Sequence, residues 1–179
     1  MAKQGVRIDE EPSVCLNDML MANEQPRFMK IAIAEAYRGV RGGHGGPFGA
    51  CLVHRGKVLA TGHNEVLQRN DPTRHAEVCA IIRAAKGMSS PHFKGCEIYS
   101  TTEPCVMCFA AINWAQIDRV YFGTTVRDAE RLGFNELVIS NRTLKRLGGS
   151  RVQLTAGVMK EECRELLEFW RDLPGRRTY

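Results

Sequence analysis

The chain has no apolar run long enough to span a bilayer, no low-complexity tract and no internal repeat. These absences exclude a helical membrane protein, a solenoid and a largely disordered chain. Residues 1–26 carry no sustained apolar stretch behind a basic start, so no signal peptide is expected. The seven cysteines are an odd number and show no secretory context, so a disulfide framework is not expected. They read as metal ligands and reduced thiols of a cytoplasmic protein. Charge of one sign is also scarce in excess. The net +5 permits an acidic partner without requiring one.

What remains is ordinary for one globular domain: 179 residues, 44% hydrophobic and 25% charged. Residues 1–26 lack a clear period and read as an N-terminal arm, followed by one domain over 27–179. Phe28, Ile31, Ala32 and Ala34 open an amphipathic helix expected to stop at Gly39. The glycine-rich 41–46 is a loop needing backbone freedom or close approach. Residues 48–54 and 57–62 form a hairpin through Arg55-Gly56. Thr73 is a candidate cap for a helix over 74–86, and Pro104 a candidate first residue of a helix to 115. Strands are expected over 96–100, 119–123 and 152–155, with a closing helix over 159–171 that buries Cys163, Leu166, Leu167 and Trp170. Strand and helix alternate after Cys96, which argues a parallel portion of sheet with short crossovers. The fold class is therefore α/β.

Two short pieces carry the chemistry. His75-Ala76-Glu77 is a His-x-Glu, and Pro104-Cys105-Val106-Met107-Cys108 is a Pro-Cys-x-x-Cys. Three soft ligands, His75, Cys105 and Cys108, suit one Zn2+ per chain and leave a fourth tetrahedral position for water. Glu77, two residues after the histidine, can stand beside that position without binding the metal, and can move a proton. A structural zinc site would need a fourth protein ligand, which no local spacing offers. His44, His54 and His63 lie at no ligand spacing and read as loop or strand residues. Cys79, four residues after His75, reads as a buried thiol under the site.

The His-x-Glu and Pro-Cys-x-x-Cys pair resembles the signature of zinc nucleobase deaminases. The wider stretch resembles the purine branch of the cytidine-deaminase-like superfamily, which holds guanine deaminases, guanosine deaminases and tRNA adenosine deaminases. Residues 45–50, His63-Asn64, 70–77, 103–108 and Gly133-Phe134-Asn135-Glu136 carry the likeness. The resemblance implies a three-layer α/β/α fold around a mixed five-stranded sheet. It implies a homodimer, in some guanine deaminases with exchanged C-terminal segments.

The resemblance also implies roles. Glu77 is the proton carrier. Asn64 and the Ala76 backbone N–H bind the base, Phe48 stacks on it, and Trp114 supplies an aromatic against it. Tyr179 belongs to a C-terminal lid segment. Glu136 occupies the place of a proton-shuttling aspartate, where Gly-Phe-Asp-Asp is usual and Gly-Phe-Asn-Glu stands here. The expected reaction is hydrolytic deamination of an aminopurine, with guanine to xanthine plus ammonia first. A guanosine or tRNA adenosine deaminase is the alternative; Arg142, Lys145, Arg146 and Arg151 offer the basic surface a tRNA needs. A non-catalytic zinc domain would have no use for Glu77.

Overall fold

The computed structural model describes residues 16–179, with side chains from residue 25 onward. The first fifteen residues of the expected arm lie outside the described part. Helix α1 (Leu16–Arg41) starts ten residues before Pro26 and runs through it. The expected boundary at 26 therefore falls inside a helix. Proline removes one backbone donor and crowds the preceding turn, and the helix continues because Phe28, Met29, Ala32 and Ala36 are fully buried just beyond it.

Strands β1 (Gly49–His54) and β2 (Lys57–His63) form the expected hairpin. Residues 65–72 contain one short helix, α2 (Val66–Arg69). Then come α3 (Ala76–Met88), β3 (Cys96–Thr102), α4 (Val106–Trp114) and β4 (Arg119–Thr124). Two further short helices, α5 (Val126–Arg131) and α6 (Asn141–Gly148), precede β5 (Gln153–Ala156) and α7 (Lys160–Arg171).

The sheet order is β2-β1-β3-β4-β5. β1 pairs antiparallel with β2 and β3, whereas β3, β4 and β5 run parallel. The mixed five-stranded sheet is as the resemblance implied, and its parallel half is as the alternation predicted. Successive strand residues face opposite sides. Ala50 and Leu52 pack with Ala76 and Ala80 of α3 and Ile112 of α4. Cys51 and Val53 pack with Phe28, Met29 and Ala32 of α1 and Cys163 of α7. Helices thus cover both faces, giving three layers. A smaller apolar cluster joins Val40, Phe134 and Trp170, with Phe48 and Tyr179 against it. That cluster ties the C-terminal segment to the loop after α5. Among the described residues no helix is long and apolar enough to cross a membrane.

Candidate active site and metal centre

The site forms where two helices begin. His75 is the N-cap of α3 and Cys105 the N-cap of α4, both with extended backbone and neither spending its side chain on a cap bond. Cys108 lies in the first turn of α4, and Glu77 in the first turn of α3. The helices start later than the sequence suggested. Thr73 is not the cap because Asp71 holds its backbone N–H at 2.9 Å and its hydroxyl at 2.6 Å. The Glu65 N–H donates to the Arg74 carbonyl at 2.9 Å and clips the loop that delivers His75. On the other side, buried Glu103 accepts from the backbone N–H of Asn141 at 2.8 Å, and the Asn141 side-chain amide donates to the Pro104 carbonyl at 2.6 Å. The segment bearing Cys105 is thereby anchored to the start of α6.

The ligand atoms of His75, Cys105 and Cys108 lie within 4.8 Å of one another. His75 Nδ1 is 3.5 Å from Cys105 Sγ. A tetrahedral zinc with ordinary bond lengths places a nitrogen and a sulfur ligand ~3.6 Å apart, so the residues fit the ion. The helix starts favour negative charge at both thiols. Cys105 is pulled down to about 4, by the hydrogen bond from Cys108 and then by His75. Cys108 is pushed up, first by its hydrogen bond to Cys105 and then by burial. Cys79 is buried and stands outside the ligand cluster, its thiol pushed up to about 12 by burial.

Glu77 is buried, and the Ser100 hydroxyl donates to its Oε1 at 2.9 Å. Burial, then the Cys105 charge, raises its pKa. Burial also raises Glu136, to about 7, with Cys105 adding to the effect. A cation on the thiolates opposes both shifts. A narrow recess of about 20 Å³ lies between Phe48, His75, Glu77, Thr102, Cys105 and Glu136. That is room for about one water molecule.

Outside the recess opens a cavity of about 270 Å³, lined by Phe48, His75, Cys105, Phe134, Glu136 and Tyr179, with Pro72, Val106, Met107, Asn135 and Leu137 at its sides. Phe48 and Phe134 meet edge to face at 4.9 Å, and Phe134 meets Tyr179 the same way at 5.3 Å. The Asn135 N–H donates to the Tyr179 carbonyl at 3.2 Å, and the Gly46 N–H donates to the Tyr179 hydroxyl at 3.3 Å. Burial pushes the tyrosine hydroxyl up, so it keeps its own proton to donate.

Asn64 is buried behind Gly46. Its Oδ1 accepts from the N–H groups of Gly46 at 3.3 Å and Val66 at 3.2 Å, and its Nδ2 has no hydrogen-bond partner. Ala76 is fully buried as the first residue of α3, where a helix leaves its N–H groups without partners inside the helix.

Trp114 is 82% exposed, and Asn64 and Ala76 are buried; none of the three lines the cavity or the recess. Trp114 stands six residues after Cys108, about 240° round the helix at ~100° per residue, and so points away from the buried face. It is no core residue either. Sequence reasoning missed Ser100, whose signal is a hydroxyl inside a wholly buried strand, and missed Phe134 as a wall of the cavity.

Residues 22–124 match the cytidine and deoxycytidylate deaminase zinc-binding region. The chain is 35% identical over 152 residues to a guanine deaminase of Bacillus subtilis, covering 85% of this chain and 97% of that one. It is 31% identical over 148 residues to a tRNA-specific adenosine deaminase of Buchnera aphidicola, covering 83% and 94%. The solved structure of a guanine deaminase from Nitrosomonas europaea shares the fold with a TM-score of 0.76 at 20% identity, over 97% of this chain and all of that one. The metal-ligand geometry and these matches together place the chain in the cytidine and deoxycytidylate deaminase family, as a zinc-dependent hydrolytic deaminase.

Proposed function

We propose that this deaminase acts on a free aminopurine, with guanine to xanthine plus ammonia as the reaction its cavity suits best. The observation that carries the reading is the seat of Tyr179. Its hydroxyl and carbonyl are both engaged, and its ring forms part of the cavity wall. A lid of this kind suits a ligand small enough to enclose, whereas an anticodon nucleotide must enter while still joined to its strand.

His75, Cys105 and Cys108 would hold the zinc, which when bound would supply a water of pKa near ~7. Glu77 borders the one-water recess, where it can take one proton from a water adding to the amino-bearing carbon and pass it to the neighbouring ring nitrogen, and then carry the proton of the added hydroxyl to the amine, which leaves as ammonia when the C–N bond breaks. Ser100 fixes one carboxylate oxygen and so aims the group. Glu136 borders both the recess and the cavity, where its carboxyl can exchange a proton with the far side of the purine. With Oδ1 of Asn64 committed to two backbone donors, its Nδ2, beside the Tyr179 hydroxyl, is the atom that can donate to an acceptor on the base, such as a 6-oxo group. The Ala76 N–H adds a second donor at the helix start. Phe48 offers its ring to the base from the cavity wall.

The chain is further read as a cytoplasmic homodimer. The six described cysteines are all free, as in a reducing compartment. Met107, half-buried, and Ala110 and Trp114, exposed, fall on one side of α4 at helical spacing, an apolar face that a second copy would cover. Exchanged C-terminal segments would be one form of that dimer.

A second reading has its own support. α6 carries no acidic residue, and Arg142, Arg146 and Arg151 are exposed, a surface suited to RNA phosphates. The test is ammonia release from guanine, guanosine, adenine, cytosine and ammeline, beside inosine formation in an anticodon stem-loop. Turnover of guanine with no reaction of the stem-loop is expected. Inosine formation without guanine turnover would replace the first reading by the second.

A further inference from the structure

Two histidines that the chemistry above does not use meet behind the base-reading amide. His63, the last residue of β2, is 2% exposed and immediately precedes Asn64. Its Nδ1 is 2.8 Å from Glu35 Oε1, and its Nε2 is 2.8 Å from His44 Nδ1. A carboxylate only accepts, so His63 Nδ1 carries the proton and donates to Glu35. Between His63 Nε2 and His44 Nδ1 one ring nitrogen donates and the other accepts, which closes the second bond.

Arg38, Arg69 and Arg83 stand beside Glu35 and Glu65. Arg38 Nη2 also lies 3.3 Å from His63 Nδ1. One continuous chain of bonds therefore links His44, His63 and Glu35.

This chain of bonds joins α1, the 42–46 loop and the end of β2 around one side chain. The two imidazole rings stack with centroids 5.0 Å apart. The His44 carbonyl accepts from Leu67 at 3.0 Å and Gln68 at 2.9 Å, which ties the loop to α2. Glycine is required where the backbone closes over the pair. A Cβ on Gly39 would lie 2.5 Å from the His63 ring, and one on Gly45 would overlap Asn64 Oδ1. The loop is thus moulded to His63 and Asn64 together, and it ends at Gly46, the donor to both Asn64 and Tyr179.

We infer that His63, held between Glu35 and His44, is a positioning residue that fixes the rotamer of Asn64 and the 42–46 loop, so that the amide Nδ2 is presented to the base already oriented. The inference rests on the reading of Asn64 as the base-binding amide.

His63→Phe keeps a planar ring in the glycine cradle and removes both hydrogen bonds. His63→Gln restores a side chain able to donate and accept. His44→Ala, which cuts the outer bond at a less buried position, serves if His63→Phe fails to fold. Two measurements are made on each full-length, zinc-loaded variant: backbone amide exchange at Gly45 and Gly46, and the affinity for hypoxanthine, a 6-oxopurine with no 2-amino group to lose. For His63→Phe we expect exchange at Gly46 to quicken by about tenfold or more, hypoxanthine binding to weaken by a similar factor, and the zinc content to stay at one per chain. Where guanine turns over, KM should rise more than kcat falls. His63→Gln should recover part of each change. Unchanged Gly46 exchange in both His63→Phe and His44→Ala would overturn the inference. Asn64→Ala separates it from the reading beneath it. If Asn64→Ala leaves hypoxanthine binding unaltered, the amide is not the base reader. If Asn64→Ala weakens binding while His63→Phe does not, His63 does not position it.

Discussion

Ser100 Oγ donates to Glu77 Oε1 at 2.9 Å inside the closed interface between β3 and α3. One oxygen of the carboxylate is thereby anchored to the sheet, beside a recess with room for about one water. Glu77→Gln preserves the shape and removes the proton carrier. Turnover should fall ~10²-fold or more with the metal content unchanged. Ser100→Ala should cost much less, since it loosens the group without removing it. Metal analysis and initial rates decide; a Glu77→Gln enzyme as fast as wild type would reject the assignment.

Glu136 lines both the recess and the outer cavity, and burial raises its pKa to about 7. If it moves a proton during the reaction, Glu136→Gln lowers kcat far more than it weakens binding of an unreactive purine, the mark of an interaction made in the transition state. Equal losses in kcat and in affinity would make it a binding residue.

Removal of residues 176–179 takes away the Tyr179 ring and the two hydrogen bonds that seat it on the cavity wall. If this segment acts as a lid, KM for a free base should rise by roughly tenfold, because a lid holds the ligand and excludes water. For an RNA substrate the same truncation should be neutral or helpful. Steady-state kinetics on both substrates separate the cases.

Glu35 has its pKa lowered from 4.5 to about 2, first by the hydrogen bond from His63, and with Arg38 contributing. A lowered carboxyl pKa stabilises the fold at pH values above the unfolded value, and this contribution is lost as pH falls from ~4.5 to ~2. The shift corresponds to something on the order of 3 kcal/mol. Denaturant unfolding of wild type and Glu35→Gln should therefore differ near neutrality and converge as pH falls through that window. A gap independent of pH would mean that packing, not charge, explains the loss.

Trp114 stands 82% exposed on the apolar side of α4. Trp114→Asp should shift sedimentation from dimer to monomer without altering the far-ultraviolet spectrum. A wild-type monomer would leave that face with no partner of its own kind.

The metal set was legible in the sequence because its members are close in the chain. His75-x-Glu77 and Cys105-x-x-Cys108 each sit at one helix start, so short-range geometry alone brings each piece into shape. The strands were legible for the same reason, since alternation is local, and the parallel half of the sheet followed from the crossovers. The helix starts were displaced by a competing local bond, as Asp71 took Thr73. The run of α1 through Pro26 was decided by packing beyond the proline. Only the tertiary structure placed Tyr179 on Gly46, 133 residues away, and His63 between His44 and Glu35, 19 and 28 residues away. It also turned Trp114 outward. A spacing rule reaches a turn or two along a helix; contacts made across layers depend on how the helices settle on the sheet, and no local pattern in the chain encodes that.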